Sequence, residues 1–205
     1  MKVMMVNGSP HAKGNTFVAL DEMRKVFDEN GIDVEMIHIG NKPIRGCIAC
    51  QKCSETGKCV FDDVVNETRQ LFAECDGLVV GTPVYYASAN ATTIAYLDRL
   101  FYSSHFDKTM KVGASVVIAR RGGLSATFDE LNKYFTISNM PIASSQYWNS
   151  VHGLTPGEAA KDAEGLQTMR TLARNMSFLM KSIALGKEKY GLPEKEAWTP
   201  THFIR

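Results

Sequence analysis

The sequence predicts an α/β domain, doubly wound, with three layers built around a five-stranded parallel sheet. Three observations carry this. Short apolar, β-branched runs alternate with longer amphipathic segments along the whole chain. Two of the runs, Gly77–Gly81 and Val112–Ala119, are almost wholly apolar, as strands covered on both faces are. No repeat, low-complexity tract or shift of composition marks a second domain within the 205 residues.

The elements follow in order. Lys2–Val6 reads as the first strand, and Thr16–Asn30 as a helix with Phe17, Leu20, Val26 and Phe27 at helical spacing and Gly31 as its stop. Val34–Ile39 is the second strand. A cysteine-rich insertion at 46–60 follows. A helix then opens at Asp62-Asp63, acids suited to its positive end, and runs to about Glu74. Beyond the Gly77–Gly81 strand, Ala91–Tyr102 is helical, with Ile94, Leu97, Leu100 and Phe101 on one side. Val112–Ala119 is a buried strand and Thr127–Asn139 a helix. A last short strand is expected between Ser138 and Tyr147, then one long helix over Pro156–Leu185. The domain spans 1–185, and 186–205 reads as an irregular tail.

Composition narrows the class. The chain is 44% hydrophobic and 22% charged, which disfavours disorder. A net charge of +1 with interspersed signs gives no footprint for nucleic acid. The apolar runs are strand-sized, too short for a bilayer, and no secretion signal is seen, so a soluble cytoplasmic protein is expected.

In such a sheet, ligands bind beyond the carboxyl ends of the strands, so three loops matter. The first, NGSPHAKGNT, lies between the first strand and the first helix. Five residues separate Gly8 from Gly14, and Asn15 stands where a triphosphate loop needs lysine. What remains is a nest of backbone N–H groups at a helix start, with Ser9, Asn15 and Thr16 side chains, suited to a terminal monophosphate. The alternative is an ordinary loop in which Asn15 or Thr16 caps the helix. The second loop, Gly81 to Asn90, carries Pro83 and the pair Tyr85-Tyr86, a stiff surface for a planar heterocycle or a simple cover for the sheet end. The third, Arg120-Arg121-Gly122-Gly123, combines arginines with glycines that allow close backbone approach.

Together, GSP..KGNT, TPVYY.S, the following Leu97-Asp98-Arg99 and the third glycine-bearing loop resemble the NADPH-dependent FMN reductase-like branch of the flavodoxin-like proteins, over about residues 1–185. The resemblance implies FMN at the strand ends. Ser9, His11, Gly14, Asn15 and Thr16 would cradle its phosphate. Pro83, Val84, Tyr85, Tyr86 and Ala87 would flank the isoalloxazine, with Arg120, Gly122 and Gly123 closing its other edge. His11 departs mildly from the family's usual basic residue.

Four of the five cysteines form C-x2-C-x2-C-x5-C: Cys47, Cys50, Cys53 and Cys59. One loop with this spacing can wrap a cubane in four thiolates, whereas structural zinc favours two separated pairs. The spacing resembles the compact motif of the iron–sulfur flavoproteins, in which a [4Fe-4S] cluster exchanges electrons with FMN. The other reading is a substrate or interface segment with no cluster. Cys75 reads as core packing. His38, His105, His152 and His202 show no ligand spacing and read as surface or packing residues, with His152 able to line a pocket. Arg170 and Arg174 read as a solvated or subunit-contact edge.

The expected function is an FMN-dependent NAD(P)H oxidoreductase acting on a quinone, nitro- or azo-type acceptor, or free flavin, with no side chain named as a catalytic proton donor. The alternatives are an iron–sulfur flavoprotein and a flavodoxin-like carrier working with ferredoxin-type partners, although near-neutral charge suits carrier docking poorly. The resemblance also implies a homodimer or homotetramer, with the cysteine loop and Tyr134–Asn139 as contacts.

Overall fold

The computed structural model describes residues 1–203. Strands β1 (Lys2–Asn7), β2 (Asp33–His38), β3 (Gly77–Tyr85), β5 (Val112–Ala119) and β6 (Ser150–His152) form one parallel sheet in the order β2-β1-β3-β5-β6. The two-residue strand β4 (Ser88–Ala89) folds back antiparallel on β3. Val6 faces Ile37 on one side and Val80 on the other, so the chain leaves β1 in one direction and later returns to its other flank. That reversal of strand order opens a crevice between the ends of β1 and β3.

Alternating side chains divide the core into two layers. Val3 and Met5 face Leu20, Met23 and Phe27 of α1 (Asn15–Glu29) and Leu172 and Met176 of α6 (Ala163–Tyr190). Met4 and Val6 face the opposite layer, made by α3 (Val64–Glu74), α4 (Ala91–Ser103) and α5 (Leu124–Ile137). There Phe72, Tyr96, Leu100 and Phe135 are buried. Every residue of β5 is buried, as the apolar run predicts. A short helix, α2 (Lys52–Thr56), lies in the cysteine insertion. Among the described residues, no helix is long and apolar enough to cross a membrane.

Four expectations need correction. The last strand is not within Ser138–Tyr147: that segment makes only an isolated bridge, Ile142 to Gly113, because Pro141 offers no N–H and the chain then leaves the sheet. Pairing resumes at Ser150, opposite Val117. The long helix starts at Ala163 rather than Pro156, since Glu158–Lys161 is a separate 3-10 turn and Asp162 caps α6 by accepting from Gly165 N at 2.9 Å. It also runs on to Tyr190, so the irregular tail begins at Gly191; its last two residues, Ile204 and Arg205, lie outside the described residues. Finally, Arg170 is more than a solvated edge: with its side chain 37% exposed, its Nη1 donates to Glu22 Oε1 at 2.6 Å and ties α6 to α1, while Arg174 is exposed. Cys75 packs in the core as expected, 1% exposed, with its thiol pushed up to about 11 by burial.

The Glu22 contact gives stability a pH signature. Burial alone would raise the Glu22 carboxyl, but hydrogen bonds from Arg170 and Lys25 outweigh it and hold the group below its ordinary 4.5. A depressed folded value means that the stabilisation is full above 4.5 and is lost as pH falls through the folded value. Urea denaturation should therefore find Glu22→Gln less stable than the parent at pH 7. The gap should close in strong acid; a gap independent of pH would remove this role from Glu22.

Candidate functional site

The first loop is held from beneath by side chains that leave its upper surface free. Asn7, the last residue of β1, accepts from Ser9 N at 3.0 Å and donates through Nδ2 to Ala12 O at 3.2 Å. Ser9 Oγ accepts from His11 N at 3.2 Å. Asn90, which caps α4, donates to Gly8 O at 2.6 Å. His38 Nε2 lies 2.8 Å from Ser9 O; since a carbonyl only accepts, Nε2 carries the proton. The approach of β2's end is so close that a Cβ on Gly40 would stand 2.0 Å from Ser9 O.

Helix α1 starts from Gly14, which has no side chain to cap it, and no acid occupies its first turn. By contrast α3, α4 and α6 are capped by Asp63, Asn90 and Asp162. The first N–H groups of α1 are therefore available to an anion, at the positive end of the helix. Thr16, in that same turn, is 1% exposed and its Oγ1 has no hydrogen-bond partner. A buried hydroxyl left unpaired is unfavourable by about 1–3 kcal/mol. A phosphate oxygen at this helix start would relieve it. Asn15 lines the cavity and also braces it: its amide donates to Thr155 O and accepts from Ala159 N, fastening the stretch before α6 to the cavity wall.

Loop two is a tight hairpin. Tyr85 pairs with Ser88, so Tyr86 and Ala87 are its two turn residues, with φ of 51° and 60°. Both being left-handed defines a type I′ turn, normally made by Asn and Gly, and non-glycine residues there are strained. Glu130 of α5 holds the turn, accepting from Ser88 Oγ and Ala89 N, each at 2.9 Å. The result is a Tyr86 ring wholly in solvent. Loop three packs directly on this hairpin: Gly123 has φ +87°, and a Cβ there would sit 2.7 Å from Ala87 Cα.

One cavity of about 240 Å3 joins these loops at the carboxyl ends of the strands. Ser9, His11, Gly14, Asn15 and Thr16 line it from one side, and Pro83, Val84, Tyr85 and Arg120 from another. Tyr86, Ala87, Gly122 and Gly123 do not line it; they build its rim and support. The sequence reading missed the third wall, Gly153, Leu154 and Pro156, which follows β6. Asn15 was the available signal, because a polar residue one step inside a helix needs a partner. A larger cavity of about 630 Å3 lies at the opposite end of the sheet, beside Cys75 and Lys111. It has neither the strand ends nor an unpaired hydroxyl, so the smaller cavity is the site.

Cys47, Cys50, Cys53 and Cys59 all line a second hollow, with Phe61, Arg99 and Tyr102. Cys47 and Cys50 are exposed, Cys53 is buried and its thiol is raised by burial, and Cys59 is half-buried. Ala49 N points to Cys47 Sγ at 3.5 Å, and Arg99 Nε to Cys59 Sγ at 3.2 Å. As the side chains stand, the described residues include no trio of His, Cys, Asp or Glu set to hold a metal ion. The hollow is about 20 Å3, a water-sized space. The donor set, four thiols with N–H groups aimed at sulfur, fits an iron–sulfur cluster in its chemistry. His105 and His202 are exposed and apart from both hollows, and His152 lines a third cavity, with Asp162.

The unpaired Thr16 hydroxyl yields a prediction with two opposite signs. Thr16→Val keeps the shape and removes the polar atom. The flavin-free protein should gain about 1 kcal/mol by urea denaturation. FMN affinity, read by fluorescence quenching, should weaken about tenfold to a hundredfold. Unchanged FMN affinity would remove Thr16 from the phosphate site.

Comparison with known proteins agrees with this geometry. Residues 1–155 match the family model of the NADPH-dependent FMN reductases. An iron–sulfur flavoprotein of Methanocaldococcus jannaschii is 32% identical over 191 residues, spanning 89% of this chain and 99% of that one. Among solved structures, RosB with a bound 8-demethyl-8-formylriboflavin-5′-phosphate intermediate superposes with a TM-score of 0.69 at 14% identity, covering 100% of this chain and 94% of that one. A flavodoxin from the domain Archaea gives 0.59 at 15% identity, covering 88% and 99%. The chain belongs to the NADPH-dependent FMN reductase family of flavin-dependent oxidoreductases, in the iron–sulfur flavoprotein branch of the flavodoxin-like fold.

Proposed function

We propose that the chain binds FMN in the cavity at the strand ends and uses it to oxidise NADH or NADPH at the expense of a small acceptor: a quinone, a nitro or azo compound, or free flavin. The observation that carries this is the buried, unpartnered Thr16 hydroxyl at the uncapped start of α1. Thr16, Ser9 and the first N–H groups of α1 would hold the phosphate, with His11 beside them. Pro83, Val84 and Tyr85 would flank the ring, and Arg120 would face its polar edge. When bound, FMN would supply a two-electron acceptor for one hydride and the ability to pass the electrons on singly or together. The protein's part is position and access: the strained hairpin presents Tyr86 at the rim, where an acceptor must pass.

A second reading is favoured by the cysteine hollow and by the relative named above. Here the loop holds a [4Fe-4S] cluster through Cys47, Cys50, Cys53 and Cys59, and a ferredoxin-type partner exchanges electrons with it. A homodimer or homotetramer is proposed with either reading; Ile137, 88% exposed at the end of α5, supports the Tyr134–Asn139 contact. Steady oxidation of NADH or NADPH by FMN-loaded protein with a soluble quinone is the expected result, and no turnover with either nucleotide contradicts the first reading. Anaerobic reconstitution should give about four irons per chain if the second holds.

A further inference from the structure

The first and last parts of the cysteine loop meet on one buried guanidinium. Arg99 sits on α4 with its side chain at 0% exposure. All five of its N–H groups are used. Nε donates to Cys59 Sγ at 3.2 Å. Nη1 donates to Asp63 Oδ2 at 2.6 Å and to Arg45 O at 3.2 Å. Nη2 donates to Asp63 Oδ1 at 2.9 Å and to Phe61 O at 3.1 Å. Arg45 precedes the first cysteine of the loop, while Cys59, Phe61 and Asp63 close it. Together with Asn66, whose amide accepts from Cys59 N and donates to Cys59 O and Phe61 O, Arg99 pins the neck of a loop whose tip is exposed. Phe61 lies under the cation, its ring centroid 5.1 Å from Arg99 Cζ, and shields the site from water.

From this arrangement we infer that Arg99 is a positioning residue of the cysteine site: it fixes Cys59 as a ligand and sets the cluster's reduction potential through its N–H to sulfur. The inference rests on the cluster reading above. Asp63 takes one hydrogen from each Nη, and the other three N–H groups of the buried guanidinium need partners of their own. The fork that engages Asp63 leaves Nε aimed elsewhere, and it is aimed at Cys59. A donor and a positive charge beside a cluster sulfur stabilise the more negative, reduced form, which raises the potential. Asp63 acts in the opposite sense, as the charge that partly offsets Arg99.

Two variants separate this role from a merely structural one. Arg99→Lys keeps the charge facing Asp63 but removes the directed Nε–H. Asp63→Asn keeps Nε on Cys59 and the cap on α3, but removes the offsetting negative charge. The proteins are reconstituted anaerobically with iron and sulfide, loaded with FMN, and followed by redox titration with visible and electron-paramagnetic-resonance detection. The expected result is a cluster potential lowered in Arg99→Lys and raised in Asp63→Asn. The flavin potential should stay unmoved in both, since the cavity lies toward the far end of α4, about 13 Å away along a helix rising 1.5 Å per residue from Asn90 to Arg99. Parent protein that takes up iron, with cluster potentials equal across the three, overturns this inference alone. Shifts of the same sign in both variants overturn it too, since they mark general loosening of the loop. Parent protein that takes up no iron overturns it together with the cluster reading.

Discussion

The parallel pairing of β1 with both β2 and β3 is the constraint on which the rest of the molecule depends. Because the chain leaving β1 enters α1 on one face of the sheet and the chain leaving β3 enters α4 on the other, neither connection covers the crevice between their carboxyl ends. The same register brings Gly8 N to Gly81 O at 2.8 Å, so the first and second loops share a backbone hydrogen bond at their base. The start of α1, and with it the unpaired Thr16 hydroxyl, is placed by that junction. Asn7, His38 and Asn90 then fix the loop; Asn7 takes the Ser9 N–H, and the first N–H groups of α1 stay free.

Much of this was legible in residue order. Buried strands such as Val112–Ala119 announce themselves, since no other element needs eight apolar or small residues together. The three loops were recognisable from glycine, proline and aromatic content. What escaped notice depends on distant partners. Ser150–His152 is too short and too polar to read as a strand, and is one only because β5 offers it an edge. The bonds of Asn15 to Thr155 and Ala159 could not be read locally, because those partners lie about 140 positions away. His38 looked idle for the same reason, its partner being a carbonyl. The Arg170 ion pair is invisible to helical spacing, which says nothing about Glu22 on another helix.

Helix α4 links the two hollows. Its cap, Asn90, supports the floor of the phosphate loop. About two and a half turns on, Arg99 gathers the neck of the cysteine loop, and Tyr102 O accepts from Cys53 Sγ at 3.9 Å. A rigid helix thus fixes both sites in one frame while keeping them apart. The two loops differ in stiffness for a physical reason: side-chain amides and a histidine brace the phosphate loop along its length, whereas the cysteine loop is braced at its neck and free at its tip.

The central claim is that the cavity is built around a phosphate monoester. Calorimetric titration of flavin-free protein with FMN and with riboflavin tests it directly, because the two ligands share the ring and differ in the phosphate. The account predicts FMN binding at least about a hundredfold tighter, from charge-assisted hydrogen bonds at the start of α1. Equal affinities for the two flavins would contradict it.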